Sequence, residues 1–235
     1  MIINPFSIII PVYNEEKNIL NLYKEINKHL TQNNIKLYEI IFVDDCSTDN
    51  SQDIIKKLID INPKIKFLRN NINSGQSFSI SKGVINSSNK TIVTIDGDCQ
   101  NNPIDIINLL KIYNNNEYKL IGGIRKKRKD PLIKIISSKL ANYIRSVILS
   151  DNCTDTGCGL KIFDKEIFIS FEYFNGIHRF LPALFLGYGY KTFFVEVDHR
   201  QREHGVSKYG TFKRLLSGII NIIKVRRLLK KIKKL

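Results

Sequence analysis

The stretch Thr91-Ile92-Val93-Thr94-Ile95-Asp96-Gly97-Asp98 places two aspartates, separated by one glycine, directly after an apolar run. A run this rich in β-branched residues is typical of a buried strand in a parallel sheet. Such a strand delivers both carboxylates to the carboxyl edge of the sheet, where open α/β sheets bind their ligands. Carboxylates held close together repel unless a cation lies between them. The pair therefore indicates either a site for a hard divalent cation or a solvated turn, where Asp and Gly are common.

The residues on both sides of this strand alternate between strand and helix patterns. The predicted strands are Ser7–Pro11, Tyr38–Val43, Ile65–Leu68, Thr91–Ile95 and Lys119–Gly122. The predicted helices between them are Glu15–Gln32, a helix capped by Asp49, Ser74–Ser87 and a helix opened by Pro103. This alternation predicts an α/β fold, with a mostly parallel, Rossmann-like sheet flanked by helices on both faces.

The pattern changes after Asp130. An amphipathic helix over Leu132–Leu149 is followed by a glycine-containing loop, a helix around Arg179–Leu186 and a β-rich stretch over Thr192–Val197. The chain ends in a basic amphipathic helix, Phe212–Leu235. An apolar face beside basic residues is typical of helices that lie on a membrane surface. For the first amphipathic helix, core packing and membrane contact are equally compatible with the sequence, whereas for the last we favour the membrane. The apolar face of that last helix is predicted to comprise Phe212, Leu215, Leu216, Ile219, Ile223, Leu228, Leu229 and Ile232.

The charge of the chain is unusual and unevenly distributed. Of 235 residues, 43% are hydrophobic and 25% charged, which is ordinary, but the formal net charge is +15. Acidic residues are absent after Glu203, and Arg125-Lys126-Lys127-Arg128-Lys129 forms a second basic run. Such patches favour anionic surfaces, either phospholipid or nucleic acid.

The cysteines and the hydropathy pattern bound the cellular context. Cys46, Cys99, Cys153 and Cys158 lack the spacing of a zinc site and are expected to be free thiols in a reducing cytosol. The N-terminal stretch lacks the basic leader of a signal peptide. Because no apolar run reaches the roughly 18 residues needed to cross a bilayer, we expect no membrane-spanning segment in this sequence.

Polar residues follow three of the predicted strands. The first strand ends in Pro11-Val12-Tyr13-Asn14-Glu15, the second in Asp44-Asp45-Cys46-Ser47-Thr48-Asp49, and the fourth in Asp96-Gly97-Asp98-Cys99-Gln100. Carboxylates can accept hydrogen bonds from a base N–H or from ribose hydroxyls. For Asp44 and Asp45 the alternative role is to form turns and cap helices. Taken together, the three endings predict one ligand site.

With these motifs in this order, the chain resembles the family 2 glycosyltransferases, which have the nucleotide-sugar-binding GT-A fold. The resemblance narrows to the dolichyl-phosphate mannosyltransferase-like branch, which loads sugars onto polyprenyl phosphates, and it runs from Ser7 to about Gly210. It implies a UDP- or GDP-hexose donor and a Mg²⁺ or Mn²⁺ ion held by Asp96, Asp98 and Gln100. The donor pocket that it implies comprises Pro11, Tyr13, Glu15, Val43, Asp44, Asp45, Ile95, Asp96, Gly97, Asp98, Arg125, Arg202 and Lys208.

Three later segments also carry the resemblance. Arg125 stands at the Gly-x-Arg position of the family, and Arg202-Glu203-His204-Gly205-Val206-Ser207-Lys208-Tyr209 matches its Arg-x-x-Gly-x-Ser-Lys loop. The segment Asp155–Lys161 resembles a loop near the acceptor, although Gly159 and Leu160 depart from the usual Gly-Phe order. The catalytic residues implied are Asp98, Arg125, Arg202 and Lys208. Arginine suits bidentate phosphate contacts, and lysine supplies a compact charge. The Arg202–Tyr209 segment is also compatible with an ordinary basic surface loop.

The resemblance divides the chain in the following way. Residues 1–210 would form the catalytic domain, with a nucleotide-sugar half at 1–125 and an acceptor half at 126–210. Residues 211–235 would form a membrane-associating helix. We therefore expect a cytoplasmic protein attached peripherally to the inner face of the membrane, with a separate membrane protein or a second copy as further potential partners.

The acceptor is inferred from what the chain lacks. Family members that extend polysaccharides use a Gln-x-x-Arg-Trp motif and several membrane helices, but this chain has no tryptophan. A hydroxyl acceptor needs a general base, whereas a phosphate monoester, with a second pKa of about 6, is already ionised. We therefore expect direct attack by polyprenyl phosphate on the anomeric carbon with inversion, without a covalent enzyme intermediate.

Two alternatives remain at the level of the sequence. A family 2 transferase acting on a glycan or small-molecule hydroxyl would need a catalytic carboxylate, for which Asp155 is the one loose candidate. A basic nucleic-acid-binding module would place aromatic residues among its basic ones, but the basic tail offers only Tyr209 and Phe212. We expect no nucleic-acid partner.

Overall fold

A computed structural model describes residues 3–114, 117–126, 132–202 and 211–232 of this chain, with the side chains of 132–134, 137 and 211–217 left out. The strands are β1 (Phe6–Val12), β2 (Tyr38–Asp44), β3 (Ile65–Arg69), β4 (Thr91–Thr94), β5 (Leu120–Arg125), β6 (Lys161–Asp164) and β7 (Thr192–Val197). The helices are α1 (Glu16–Gln32), α2 (Ser51–Ile61), α3 (Gln76–Ile85), α4 (Ile104–Asn114), α5 (Leu132–Leu149), α6 (Lys165–Ser170), α7 (Leu181–Gly187) and α8 (Thr211–Ile232), with a short 3-10 turn at Ile177–Arg179.

The strands form one sheet in the order β3-β2-β1-β4-β6-β5-β7. β1 pairs in parallel with β2 on one side and β4 on the other, and β5 pairs in parallel with β7. Only β6 among the described strands runs against its neighbours, pairing antiparallel with β4 and β5. The prediction of a mostly parallel sheet in an α/β fold is confirmed.

Helices cover both faces of the sheet. One core cluster joins the sheet to α1, α2 and α4 through residues such as Leu22, Leu58 and Leu109. The other joins it to α3, α6, α7 and α8 through residues such as Val84 and Phe185. Because both faces are covered, the central strands are apolar throughout, which is why a continuous run such as Phe6–Val12 predicts a strand.

The strand β6 and the helix α6 were not predicted. The strand is four residues long and carries a charge at each end, so the sequence shows no apolar run there. Each charge has a partner within the fold: the buried Lys161 donates to the carbonyl groups of Thr156 and Cys158. The carboxylate of Asp164 accepts hydrogen bonds from the first turn of α6.

The remaining elements agree closely with the sequence. α5 and β7 have the predicted bounds. The N-cap of α2 is Asn50 rather than the predicted Asp49. Asp49 nevertheless accepts hydrogen bonds from the first residues of two helices, through Oδ1 from the Ser51 amide at 3.0 Å and through Oδ2 from the Glu16 amide at 3.1 Å. One residue therefore serves the first turns of two helices, α2 and α1.

The two amphipathic helices differ from each other in what they bury. α5 keeps its apolar face exposed: Ile136 and Tyr143 are 65% and 68% exposed. In α8, Ile219 and Ile223 are exposed, but Leu229 is buried and Leu228 and Ile232 pack on the core. The predicted apolar face of α8 is thus divided between core and surface, and its members Phe212, Leu215 and Leu216 lie outside the described side chains. No helix in the described ranges is both long and apolar enough to cross a bilayer.

Gly83 sets the distance between α3 and the sheet. A Cβ at this position would lie 2.4 Å from Cγ2 of Ile9 and 3.1 Å from Cγ2 of Val43. Overpacking costs about 1–3 kcal/mol, and a contact this short with a stiff β-branched side chain belongs to the upper part of that range, about 2–3 kcal/mol. A gain of about 1 kcal/mol in helix propensity offsets part of this cost. We expect Gly83→Ala to lower the free energy of unfolding in urea by about 1–2 kcal/mol.

The matched control for this prediction is Gly218→Ala in α8. A Cβ there meets nothing within 4 Å, so this variant keeps or slightly raises the free energy of unfolding. A Gly83→Ala protein as stable as the unaltered one would contradict the close packing of α3 on β1 and β2.

Candidate active site

The strands β2, β1 and β4 lie side by side, so their carboxyl ends meet at one edge of the sheet. Val12 of β1 is opposite Asp44 of β2. Beyond the paired residues, the Asp45 amide donates to the Val12 carbonyl at 2.7 Å, and the Ile95 amide donates to the Ile9 carbonyl at 3.2 Å. The structure therefore brings the three polar strand endings together.

Each of the three loops turns sharply through a residue in the left-handed conformation. The φ angles are 51° for Asn14, 64° for Cys46 and 59° for Cys99. For a residue with a side chain this conformation costs roughly 1–2 kcal/mol. The sharp turn keeps the residues that follow each strand close to the strand end.

The loops after β1 and β2 are tied to each other by hydrogen bonds. The Asn14 amide donates to Ser47 Oγ and the Glu15 amide to Ser51 Oγ, both at 2.9 Å. The buried carboxylate of Glu15 accepts from Asn18 Nδ2 at 2.6 Å. Pro11 and Tyr13 are partly exposed beside these loops, so they can contact a bound molecule.

Asp44 and Asp45 bind backbone groups of neighbouring turns. Asp44 is fully buried and accepts from the Ser47 amide at 3.2 Å. Asp45 accepts from the amides of Ser74 and Gly75, each at 2.8 Å. Both carboxylates therefore have the turn-forming role that is the alternative to ligand binding. The nucleotide contacts of Val43, Asp44 and Asp45 stay predictions.

The two aspartates after β4 are held close to each other. Asp96 is partly buried and accepts from Gln76 Nε2 at 2.7 Å, while Asp98 is buried and forms an ion pair with Arg202. Burial, followed by the charge of Asp98, raises the pKa of Asp96 to about 6. Burial contributes most to this rise, and the repulsion between the two carboxylates adds to it. A cation between them would relieve the repulsion.

The donor set of this pair suits a hard divalent cation. Gly97 allows the turn to pass close to β1, since a Cβ there would lie 3.1 Å from the Pro11 carbonyl oxygen. Gln100 donates to the Arg200 carbonyl at 3.2 Å through Nε2, so Oε1 is the atom that it would offer to a metal. Within the described ranges, no three His, Cys, Asp or Glu side chains converge to hold a metal. Two carboxylates, together with oxygens from a substrate, make a typical Mg²⁺ site.

Arg125 and Asp155 form a bidentate ion pair at the same edge. Nε and Nη2 of Arg125 each lie 2.7 Å from an Asp155 oxygen. Both side chains are mostly buried, being 13% and 7% exposed. Asp155 reaches this edge because β6 is antiparallel: it begins where its parallel neighbours end, so the loop before it arrives beside Asp96 and Arg125.

The predicted site residues are thus found in one region, with one exception. Lys208 lies outside the described residues. Sequence reasoning missed Gln76, which contacts Asp96, and Lys161, whose positive charge acts to lower the pKa of Asp96. It also gave Gly159 no role in the site. Gln76 begins α3 rather than following a strand, and Lys161 lies within the unpredicted β6. For Lys161 and Gly159, the sequence signal is the resemblance of the segment Asp155–Lys161 to a loop of the family, which does not assign a role to each residue.

Solved structures with the same architecture identify the fold. Glucosyl-3-phosphoglycerate synthase from Mycobacterium tuberculosis, solved with Mn²⁺, UDP and glucosyl-3-phosphoglycerate, has a TM-score of 0.67 at 16% identity, covering 94% of this chain and 78% of that one. Mannosyl-3-phosphoglycerate synthase from Rubrobacter xylanophilus has a TM-score of 0.68 at 14% identity, covering 98% and 75%. At such identities the likeness concerns the fold, and the prediction of a GT-A fold is confirmed.

The family follows from the sequence itself. The family model described as glycosyl transferase family 2 matches residues 7–171. This chain belongs to glycosyl transferase family 2, which confirms the resemblance noted from the strand-end motifs.

Two similar curated proteins act on polyprenyl phosphates, according to their names. The dodecaprenyl-phosphate galacturonate synthase of Rhizobium johnstonii is 33% identical over 217 residues, which cover 89% of this chain and 64% of that protein. The undecaprenyl-phosphate 4-deoxy-4-formamido-L-arabinose transferase of Proteus mirabilis is 32% identical over 213 residues, which cover 90% and 64%. The chain therefore spans slightly less than two thirds of the length of these relatives.

A cation held by Asp96 would bind in a pH-dependent way. With its pKa raised to about 6, this carboxyl takes up a proton as the pH falls, and a cation must then displace that proton. We expect the affinity for Mn²⁺, measured by calorimetric titration, to rise up to about pH 7 and then level off. Below the pKa it falls by roughly tenfold per pH unit.

Asp96→Asn is the control for the pH dependence. It keeps the size of the side chain but removes the titrating group, so weaker binding without an inflection near pH 6 is the expected result. If the unaltered protein bound Mn²⁺ equally at about pH 5 and pH 7, Asp96 would not be part of a cation site.

Proposed function

We propose that this chain transfers a hexose from a UDP- or GDP-sugar to a polyprenyl phosphate, with inversion and with Mg²⁺ or Mn²⁺ as cofactor. The observation that carries the proposal is the convergence of Asp96 and Asp98 with Arg125 and Arg202 at one edge of a GT-A sheet. That edge combines carboxylates for a cation with guanidinium groups for phosphates. The names of the curated relatives support the same acceptor.

The donor is bound by the three strand-end loops. Val43, Asp45 and the residues near Pro11 and Tyr13 contact the base and ribose, with the fully buried Asp44 close by. Asp96 and Asp98 lie beside the diphosphate. Asp96 and Asp98 would hold a divalent cation, whose charge would neutralise the departing nucleoside diphosphate. Arg202, which forms an ion pair with Asp98, would contact the phosphates, together with Lys208.

The reaction needs no protein base. An oxygen of the acceptor phosphate forms the new bond to the anomeric carbon, and the bond from that carbon to the nucleoside diphosphate breaks, with its electron pair leaving on the diphosphate. No proton moves, because a phosphate monoester has a second pKa of about 6. Attack from the side opposite the leaving group inverts the anomeric carbon.

Asp155 is better suited to orienting the guanidinium group of Arg125 than to acting as a general base. Both of its oxygens contact Arg125, each at 2.7 Å. A carboxylate engaged in this way is a weak base, since the guanidinium stabilises its charged form. This observation favours a phosphate acceptor, held by Arg125, over a hydroxyl acceptor that Asp155 would have to deprotonate.

An exposed apolar and basic surface supports contact with an anionic membrane. We define the α5–α8 surface as the exposed side chains Ile136, Leu140, Tyr143, Ile144, Val147, Ile148, Ile219, Ile220, Ile223, Arg226, Arg227 and Lys230. It includes a groove of about 260 Å³ that is lined by Ile148, Ile222 and Ile223 and by the basic side chains of Arg226, Arg227 and Lys230. An apolar face beside cations fits the interface of an anionic bilayer, although a membrane protein or a second copy could also cover it.

A transfer assay tests the reaction. The purified protein is incubated with labelled UDP- and GDP-sugars, Mg²⁺ or Mn²⁺, and either undecaprenyl phosphate or undecaprenol in detergent. We expect label to enter the lipid only with the phosphate, and not in the presence of EDTA. Transfer to undecaprenol or to a water-soluble hydroxyl would contradict the proposed acceptor.

The variant Asp98→Ala tests the site in the same assay. Because it removes one of the two carboxylates, we expect turnover to fall by roughly 10²-fold or more while the fold is retained. Asp53→Ala, an exposed position in α2, is the matched control and keeps full activity. Near-normal turnover by Asp98→Ala would contradict the assignment of the cation site.

A sedimentation assay with vesicles tests the α5–α8 surface. A basic residue near an anionic membrane contributes about 1 kcal/mol, so Arg226→Glu with Arg227→Glu should weaken binding by roughly 30-fold or more. Lys56→Glu with Lys57→Glu, two exposed positions in α2, is the matched control. Equal loss of binding in both double variants, or no loss in either, would contradict membrane contact through α8.

A further inference from the structure

The carboxylate of Asp96 is held by two segments that lie outside the Asp96-Gly97-Asp98 turn. Gln76, the first residue of α3, donates from Nε2 to Oδ1 of Asp96 at 2.7 Å. Gly159, in the loop before β6, lies directly against the same carboxylate. A Cβ on Gly159 would be 2.3 Å from Oδ2 and 2.4 Å from Oδ1 of Asp96. The space that a side chain would fill at Gly159 is therefore occupied by the carboxylate.

Gln76 is fixed in place by Asp45. The turn that precedes α3 presents the amides of Ser74 and Gly75 to Oδ1 and Oδ2 of Asp45, each at 2.8 Å. Oδ1 also accepts from Asn70 Nδ2 at 2.8 Å. Asp45 thus holds the chain on both sides of this turn, and Gln76 follows it immediately. The end of β2 is connected in this way to the carboxylate that follows β4.

Gly159 is fixed in place by β4 itself. Its carbonyl oxygen accepts from Thr94 Oγ1 at 2.7 Å, and Thr94 lies two residues before Asp96. The glycine therefore has a constant position relative to the aspartate, and its lack of a side chain is what admits the carboxylate.

We propose that Gln76 and Gly159 are positioning residues, which together hold the Asp96 carboxylate in the orientation that binds the cation. We call this pair the Asp96 clamp. The inference rests on the proposed function, because it assumes the cation site. Its physical basis is that a metal ligand is oriented by the groups that hydrogen-bond and pack against it, and that loss of such a partner typically weakens metal binding by about 10- to 100-fold.

The test is a titration with MnCl₂ in the presence of saturating UDP or GDP, with free Mn²⁺ measured by electron paramagnetic resonance. Gln76→Met keeps the length of the side chain but removes the donor, and Gly159→Ala adds a methyl group where the carboxylate lies. We expect each variant to bind Mn²⁺ about 10- to 100-fold more weakly than the unaltered protein. Gln32→Met, an exposed position at the end of α1, should bind it equally well.

Asp45→Asn adds a test of the connection through α3. If Asp45 acts by positioning Gln76, this variant weakens Mn²⁺ binding, and the double variant with Gln76→Met is no weaker than the more affected single one. Thermal unfolding of each variant identifies any that fail to fold. Gln76→Met and Gly159→Ala change opposite sides of the clamp, so the test does not rest on one of them.

The outcomes separate this inference from the proposed function. If the unaltered protein does not bind Mn²⁺ with either nucleotide, both the cation site and the clamp are wrong. If it binds Mn²⁺ and the folded Gln76→Met and Gly159→Ala variants bind it equally well, the clamp alone is wrong. A Gln76→Met variant with unchanged Mn²⁺ affinity but a raised KM for the donor sugar would likewise contradict the clamp, since Gln76 would then contact the sugar.

Discussion

The repulsion between Asp96 and Asp98 at the end of one buried strand is the interaction on which the arrangement of the site depends. Two carboxylates in this position stay charged only when cations and hydrogen-bond donors surround them. The structure supplies the donors from separate parts of the chain: Gln76 from α3 contacts Asp96, and Arg202, which follows β7, contacts Asp98. Burial, and after it the charge of Asp98, still raises the pKa of Asp96. A bound cation would offset both effects, which is the physical basis of the proposed cation site.

The topology of the sheet explains why the other groups are nearby. Because β2, β1 and β4 are parallel neighbours, their endings share one edge, and the loops that leave them are joined by side-chain hydrogen bonds. The single antiparallel strand in the described sheet, β6, adds a loop that arrives at that edge instead of leaving it. That loop carries Asp155, which fixes Arg125, and Gly159, which receives the Asp96 carboxylate. The mixed sheet therefore brings the loop before β6 into contact with the Asp96-Gly97-Asp98 turn.

Much of this could be predicted because it is local in the sequence. Apolar runs identify β1, β2 and β4, and the polar residues after each run identify the strand endings that carry Asp45, Asp96 and Asp98. What could not be predicted depends on tertiary contacts. β6 has no apolar run, since Lys161 and Asp164 find their partners only in the folded chain. Gln76 and Gly159 acquire their contact with Asp96 through the packing of α3 and of the loop before β6, and no spacing in the sequence records it.

The central claim is that Asp96 and Asp98 hold a divalent cation beside a nucleoside diphosphate. Anomalous diffraction from crystals grown with Mn²⁺ and UDP or GDP tests it most directly, because the signal locates the metal independently of any assay. The account predicts one anomalous peak within coordination distance of both carboxylates and of the diphosphate oxygens. A bound nucleotide without a peak there, or a peak at other side chains, would contradict it.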